Sequence, residues 1–378
     1  MASRCSTHHL LILALLCSCL LVVYSFSLAK EDELLGPFNA IYYLGDIGDS
    51  SSSSAADHIA VTLNLPSPQP HTQHGTEFFE SGLNFATPGA TIMSPFFFLK
   101  NGIKPPPHSH DLTQIVTFMK FFYKDCFSFH DCGKNKVLRK ALIFMDQPGI
   151  NDYKQAFLNG KSISEASHLV PEVVETIKNS VERLIIEAEA KTIMVSGILP
   201  LGCFPGFRTL FPEGDSMGKN RCHKGLNLFS KLHNDHLSQA IMELRLKYPE
   251  VHIIYADYYK AFMAVLKNHA FLGFNTETLM KACCGSGDGP FNFDAKKKCG
   301  EKGAATCSKR ASYLHWDGFR LTPEALENLI DTLFSKKGFI FPEFKFEEET
   351  AAAVTRHHSR IHGGVRNMSS IVRHLLFV

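Results

Sequence analysis

Five short apolar runs, each followed closely by a glycine or a polar residue, constrain the fold more than any other feature of this chain. They are Ala40–Leu44, Leu83–Ala86, Ala141–Met145, Thr192–Gly197 and Val251–Ala256. Continuous runs of this length, without the apolar–polar alternation of a half-wet strand, fit strands buried on both faces. Helical periodicity fills the intervals. Pro171–Ala190 opens on a proline with acids in its first turns, which suits a helix N-terminus, and Ile177, Val181, Leu184, Ile185 and Ala188 form one apolar stripe. Leu226–Lys247 repeats the pattern, and Pro323–Lys336 is the last such segment. Strands alternating with helices predict an α/β fold: a three-layer α/β/α sandwich around a central, mostly parallel five-stranded sheet. In such sheets ligands bind beyond the C-terminal ends of the strands. The residues to watch are therefore Gly45–Ile47, Thr87–Gly89, Gly149–Asp152 and a late His315–Asp317 segment. Ser50–His74 reads as a surface loop with one short helical piece.

The two ends read as additions to this fold. Leu10–Val23 is apolar, follows a start carrying Arg4 and no acid, and is succeeded by small residues. That is the pattern of a secretory signal, expected over residues 1–29 with cleavage between Ser25 and Lys30. The run falls short of the ~20 residues a spanning helix needs, so no stable membrane span is expected. The folded domain is expected over 30–346, and a basic tail, disordered or an address, over 347–378. Asn367-Met368-Ser369 is an N-glycosylation sequon.

Cleavage of the signal would remove three of the 11 cysteines and leave eight: Cys126, Cys132, Cys203, Cys222, Cys283, Cys284, Cys299 and Cys307. An even number in a secreted chain reads as disulfides, and the short loops Cys126–Cys132 and Cys203–Cys222 are candidate pairs. No pair of CxxC motifs, no His/Cys/carboxylate cluster at ligand spacing and no glycine-rich phosphate loop is present, so no metal and no cofactor is expected. Lys plus Arg is 39 against 37 Asp plus Glu, and a formal charge of +2 argues against nucleic acid as a partner.

Several ordered blocks then resemble the plant GDSL esterase/lipase family, the SGNH hydrolases. Asn39–Asp46 resembles the strand leading into the Gly-Asp-Ser block, and Gly82–Ala90 the second block. Gly149-Ile150-Asn151-Asp152 matches Gly-x-Asn-Asp, and Trp316–Thr322 aligns with Trp-Asp-Gly-x-His-x-Thr. Leu199–Cys203, Tyr248–Tyr259 and Cys283-Cys284-Gly285 are similar to the plant branch. The resemblance implies hydrolysis of carboxylic esters: a Ser hydroxyl attacks the carbonyl, a His takes its proton, and an Asp three residues earlier orients that His. It also implies an oxyanion hole, with Gly89 and Asn151 at its Gly and Asn positions, and Asp317 at the triad acid position.

Two positions depart from the pattern. The residue after Gly45-Asp46 is Ile47, at the nucleophile position, and the residue three after Asp317 is Arg320, at the base position. Isoleucine has no nucleophilic atom, and an arginine with a pKa above ~12 is no general base at neutral pH. Loss of triad members leaves ~10³–10⁴-fold acceleration over water, orders of magnitude below a working esterase. Arg320 either pairs internally with Asp317 or takes a bound carboxylate in its fork. The expectation is a secreted family member without ordinary esterase turnover, binding a small acyl ester, a carboxylate-bearing metabolite or a protein partner. The extracellular space is the expected location, with the vacuole as the alternative. Two catalytic alternatives stay open. Ser50, in a Gly48-Asp49-Ser50 triplet three residues late, could serve as a substitute nucleophile. A non-hydrolytic isomerase or cyclase could reuse the oxyanion hole with Asp317 as base. His315, two residues before Asp317, is expected to face elsewhere, and Asp152 to be a structural hydrogen-bond acceptor.

Overall fold

A computed structural model describes residues 38–46, 54–72, 82–106, 113–128, 138–212, 221–287, 289–297 and 299–343, with the side chains of 113 and 123–128 excepted. The expected signal and tail, the sequon, the Cys126–Cys132 pair, Ile47 and Ser50 all lie outside the described residues and side chains.

The main sheet is built from β1 (Ala40–Leu44), β2 (Gln69–Pro70), β3 (Leu83–Asn84), β4 (Ala141–Met145), β5 (Thr192–Ser196), β6 (His252–Ala256) and β9 (Ile340–Phe341), and β7 (Cys284–Gly285) pairs with β8 (Ala305–Thr306) in a separate ribbon. The strand order is β2-β3-β1-β4-β5-β6-β9, so among the described residues the sheet has seven strands rather than the expected five. The two additions are two-residue edge strands, too short to show any periodicity. All pairings within this sheet are parallel except β6 with β9. The other apolar runs become strands within one or two residues of their expected bounds.

The described α-helices are α1 (Ala55–Thr62), α2 (Pro95–Lys100), α3 (Thr113–Ser128), α4 (Ile150–Leu158), α5 (Ile163–Ser167), α6 (Val170–Ile186), α7 (Pro205–Leu210), α8 (Lys224–Lys247), α9 (Tyr258–Lys267) and α10 (Pro323–Ser335). Every residue of β1, β4 and β5 is buried, which requires helices on both faces of the sheet. Successive strand residues point to opposite faces. Tyr42 packs edge-on against Phe118 and Phe122 of α3, whereas Tyr43 stacks on Phe144, which lies against Tyr258 of α9. Helices α3 and α9 therefore cover opposite faces. α10 packs on α9 and α1, and α6 packs on α8.

Helix ends follow local chemistry. Ser54 caps α1 in a capping box with Asp57, so the end of the Ser50–Ser54 run is a cap. α8 begins two residues before its expected start because His223 accepts the Leu226 amide through Nδ1. That is an unusual cap, since Ser, Thr, Asp and Asn dominate the position. Cys203–Cys222 is a disulfide, as the spacing suggested, and Cys283–Cys307 and Cys284–Cys299 are two more.

Candidate functional site

The carboxyl ends of β1 and β4 open into a cleft of about 500 Å³ lined, among others, by Asp46, Gly89, Asn151, Asp317 and Arg320. Each residue arrives from a different element. Asp46 follows β1, Gly89 sits in the turn after β3, Asn151 lies in the first turn of α4, and Asp317 and Arg320 precede α10. Gly149 makes the β4–α4 junction possible. Its φ is +94°, and a Cβ there would fall 2.8 Å from Val173 Cγ1.

The two residues that the resemblance places at the oxyanion positions are brought together, both donating to Asp46. The Gly89 amide donates to Asp46 Oδ1 at 2.8 Å. Asn151 Nδ2 donates to Asp46 Oδ2 at 3.1 Å and to the Ala90 carbonyl at 2.9 Å. Both partners of the Asn151 amide group are acceptors, which fixes its orientation and uses both of its hydrogens. Asp46, an acceptor between both donors, is a role that its place after the first apolar run did not reveal.

Asp317 is equally occupied. Its Oδ1 accepts the amides of Phe319 and Arg320, each at 2.8 Å. Its Oδ2 accepts Arg320 Nε at 2.8 Å and Nη2 at 2.5 Å. Side-chain exposures of 15% for Asp317 and 31% for Arg320 place this fork-shaped ion pair partly inside the wall. A carboxylate offers about four lone-pair sites, and here four donors fill them. Arg320 thus presents its Nε and Nη2 edge to Asp317 and not to the cleft.

Beneath the cleft lies a buried polar group that the sequence reading did not single out. Asp146, directly after β4, accepts the Tyr43 hydroxyl at 2.6 Å and the Ser196 hydroxyl at 3.2 Å. The fully buried Tyr258 hydroxyl lies beside the same carboxyl without closing a hydrogen bond to it. Burial pushes the Asp146 carboxyl up to about 6, although the hydroxyl donors pull the other way. The rule that cleft residues follow apolar runs would have found Asp146, one residue after Met145.

Asp152 points away from the cleft and holds its walls together. It accepts the amides of Ile92 and Met93 at 3.0 and 2.9 Å, and burial pushes its carboxyl up to about 7. His315 is fully buried with its ring edge-on to Phe204, away from Asp317. The described residues contain no group of three or more His, Cys, Asp or Glu able to hold a metal, and no helix long and apolar enough to cross a membrane.

Residues 43–333 match the family model for GDSL-like lipase/acylhydrolase. Acetylajmalan esterase 1 of Rauvolfia serpentina is 34% identical over 307 residues, covering 81% of this chain and 78% of that protein. A GDSL esterase/lipase of Arabidopsis thaliana is 35% identical over 282 residues, covering 74% and 70% respectively. Sinapine esterase of Brassica napus is 33% identical over 329 residues, covering 85% and 83%.

Proposed function

The chain belongs to the GDSL-like lipase/acylhydrolase family, and from that premise we propose that its cleft holds a small acyl ester or a carboxylate-bearing metabolite without hydrolysing it at an esterase's rate. The observation that carries this reading is the occupation of Asp317 by four donors, three of them from the residue standing where the family has its base. With no lone pair left to aim at a ligand, Asp317 is poorly placed to act as a base for an isomerisation or cyclisation. The donors that would receive an oxyanion are engaged by Asp46 and Ala90. An oxyanion hole works by presenting free donors to charge that develops in the transition state, and donors already spent on a resident carboxylate supply little of that. Ile47 adds the absence of any nucleophilic atom at the expected place. The relatives named as esterases of acetylajmalan and sinapine make esters of specialised metabolites the first ligands to try. Disulfides together with plant relatives fit a protein of the secretory pathway.

The test offers p-nitrophenyl acetate and butyrate to the purified chain, alongside a fluorophosphonate probe. The expected outcome is turnover at the buffer rate and no labelled serine, with thermal stabilisation by members of an ester panel. Restoring a nucleophile and a base in one chain, Ile47→Ser with Arg320→His, is expected to raise turnover by about 10²-fold or more. Turnover by the unaltered protein with label on Ser50 would overturn the reading.

A further inference from the structure

The whole-chain charge of +2 conceals one strongly uneven region. Residues 281–309 contain six lysines against three acids. Two disulfides gather this segment into a knot: Cys283 and Cys284 are neighbours in sequence, Cys307 lies 4.9 Å from Cys283 and Cys299 lies 5.3 Å from Cys284, Cα to Cα. Lys281, Lys296, Lys297, Lys302 and Lys309 are each within three residues of one of these half-cystines. No Cα among the five can therefore be farther than about 11 Å from the knot. All five are exposed, and none has an ion-pair partner among the described residues. Asp294, the knot's half-buried acid, turns Oδ1 onto the Lys296 amide. The knot also forms one wall of the cleft, through Cys284, Phe293, Asp294, Lys297 and Cys299.

We propose that this lysine-bearing knot is a docking surface for an extracellular polyanion of the acidic-polysaccharide class, which lies across the rim of the cleft. Crowding like charges on a small, covalently fixed surface builds a local positive potential that attracts counter-charge. Lysines act as compact point charges, suited to a row of separate carboxylates, whereas a single carboxylate is better met by an arginine fork. The alternatives fit less well. A bilayer partner would want apolar side chains to insert beside the lysines. No large hydrophobic side chain of the segment is exposed; Phe291 lies under the Arg208 guanidinium, and Phe293 packs on Phe319. Nucleic acid is a poor match for a surface held by disulfides, which persist in oxidising compartments.

The experiment measures binding of the full chain to immobilised polygalacturonate, with neutral dextran and phosphatidylserine-containing vesicles as comparisons. Binding is expected to polygalacturonate alone, weakening at least ~10-fold between about 50 and about 200 mM salt. The triple variant Lys296→Ala, Lys297→Ala, Lys302→Ala is expected to lose at least ~10-fold in affinity and much of the salt dependence, with an unchanged melting temperature. The charge-retaining triple, with arginine at the same three positions, is expected to bind as the unaltered chain does. Equal binding to dextran, tighter binding to the vesicles, or undiminished binding by the alanine triple would each overturn the proposal. Because no ester is involved, the result is independent of whether the cleft hydrolyses anything.

Discussion

Asp152 ties the turn that carries Gly89 to the helix that carries Asn151, and replacing it with asparagine gives a stability change that should reverse sign with pH. In the folded protein burial raises its carboxyl from 3.8 to about 7, against the pull of the Ile92 and Met93 amides. A raised acid means that the native state binds the proton more tightly than the unfolded chain does. Stability from this group is therefore full below about pH 4 and is lost as pH rises toward 7. About three units at 1.36 kcal/mol each give a loss of up to about 4 kcal/mol above neutrality. Asp152→Asn removes that titration but turns an amide NH₂ toward one of the two backbone donors, which costs about 1–3 kcal/mol. At pH 3.5 the variant should be less stable than the parent by about 1 kcal/mol or more. At pH 8.5 it should be as stable or more stable, by up to about 3 kcal/mol. Urea unfolding followed by the fluorescence of Trp316, the single tryptophan, reads both values with the disulfides intact. His233 and His315, each pushed down to about 3 by burial, bend the absolute curves the opposite way below about pH 6.5, but both proteins share them and the difference removes them. Parallel stability–pH profiles for the two proteins would refute the reasoning.

His315 has neither ring nitrogen in a hydrogen bond, and its lowered pKa means that the unfolded chain takes up a proton below about pH 6.5 that the native state refuses. His315→Phe should therefore gain about 2 kcal/mol relative to the parent on going from pH 7.5 to pH 5, and an equal difference at both pH values would count against it. Cys203→Ala with Cys222→Ala opens a loop closed over a separation of 19 residues and should cost about 3 kcal/mol under non-reducing conditions. A loss below about 1 kcal/mol in urea unfolding would show that this bridge does not constrain the unfolded chain.

The five internal strands were readable because a strand buried on both faces must be apolar at every position, and such runs stand out against the amphipathic helices around them. The edge strands Gln69–Pro70 and Ile340–Phe341 were not, since two residues carry no period and their pairing is decided by what lies beside them. Helix α3 escaped for a different reason. Its closely spaced aromatics, Phe118, Phe121 and Phe122, pack into a cluster with Tyr42 and Phe85 that blurs any single apolar stripe. The lysine knot was invisible to a net charge, which sums over positions without saying which are held together by Cys283–Cys307 and Cys284–Cys299.

What the sequence by itself determined is the set of atoms available for chemistry. Ile47 offers no nucleophile and Arg320 no neutral base in any fold, because those properties are intrinsic to the side chains. Only the tertiary structure decided how the remaining polar groups are used. Asp46 takes up Gly89 and Asn151, which lie 43 and 105 residues away, and Tyr43 donates to Asp146 across a separation of 103. Hydrogen-bond capacity belongs to a residue, but whether that capacity is already filled depends on which distant groups the sheet brings within 3 Å or so of it.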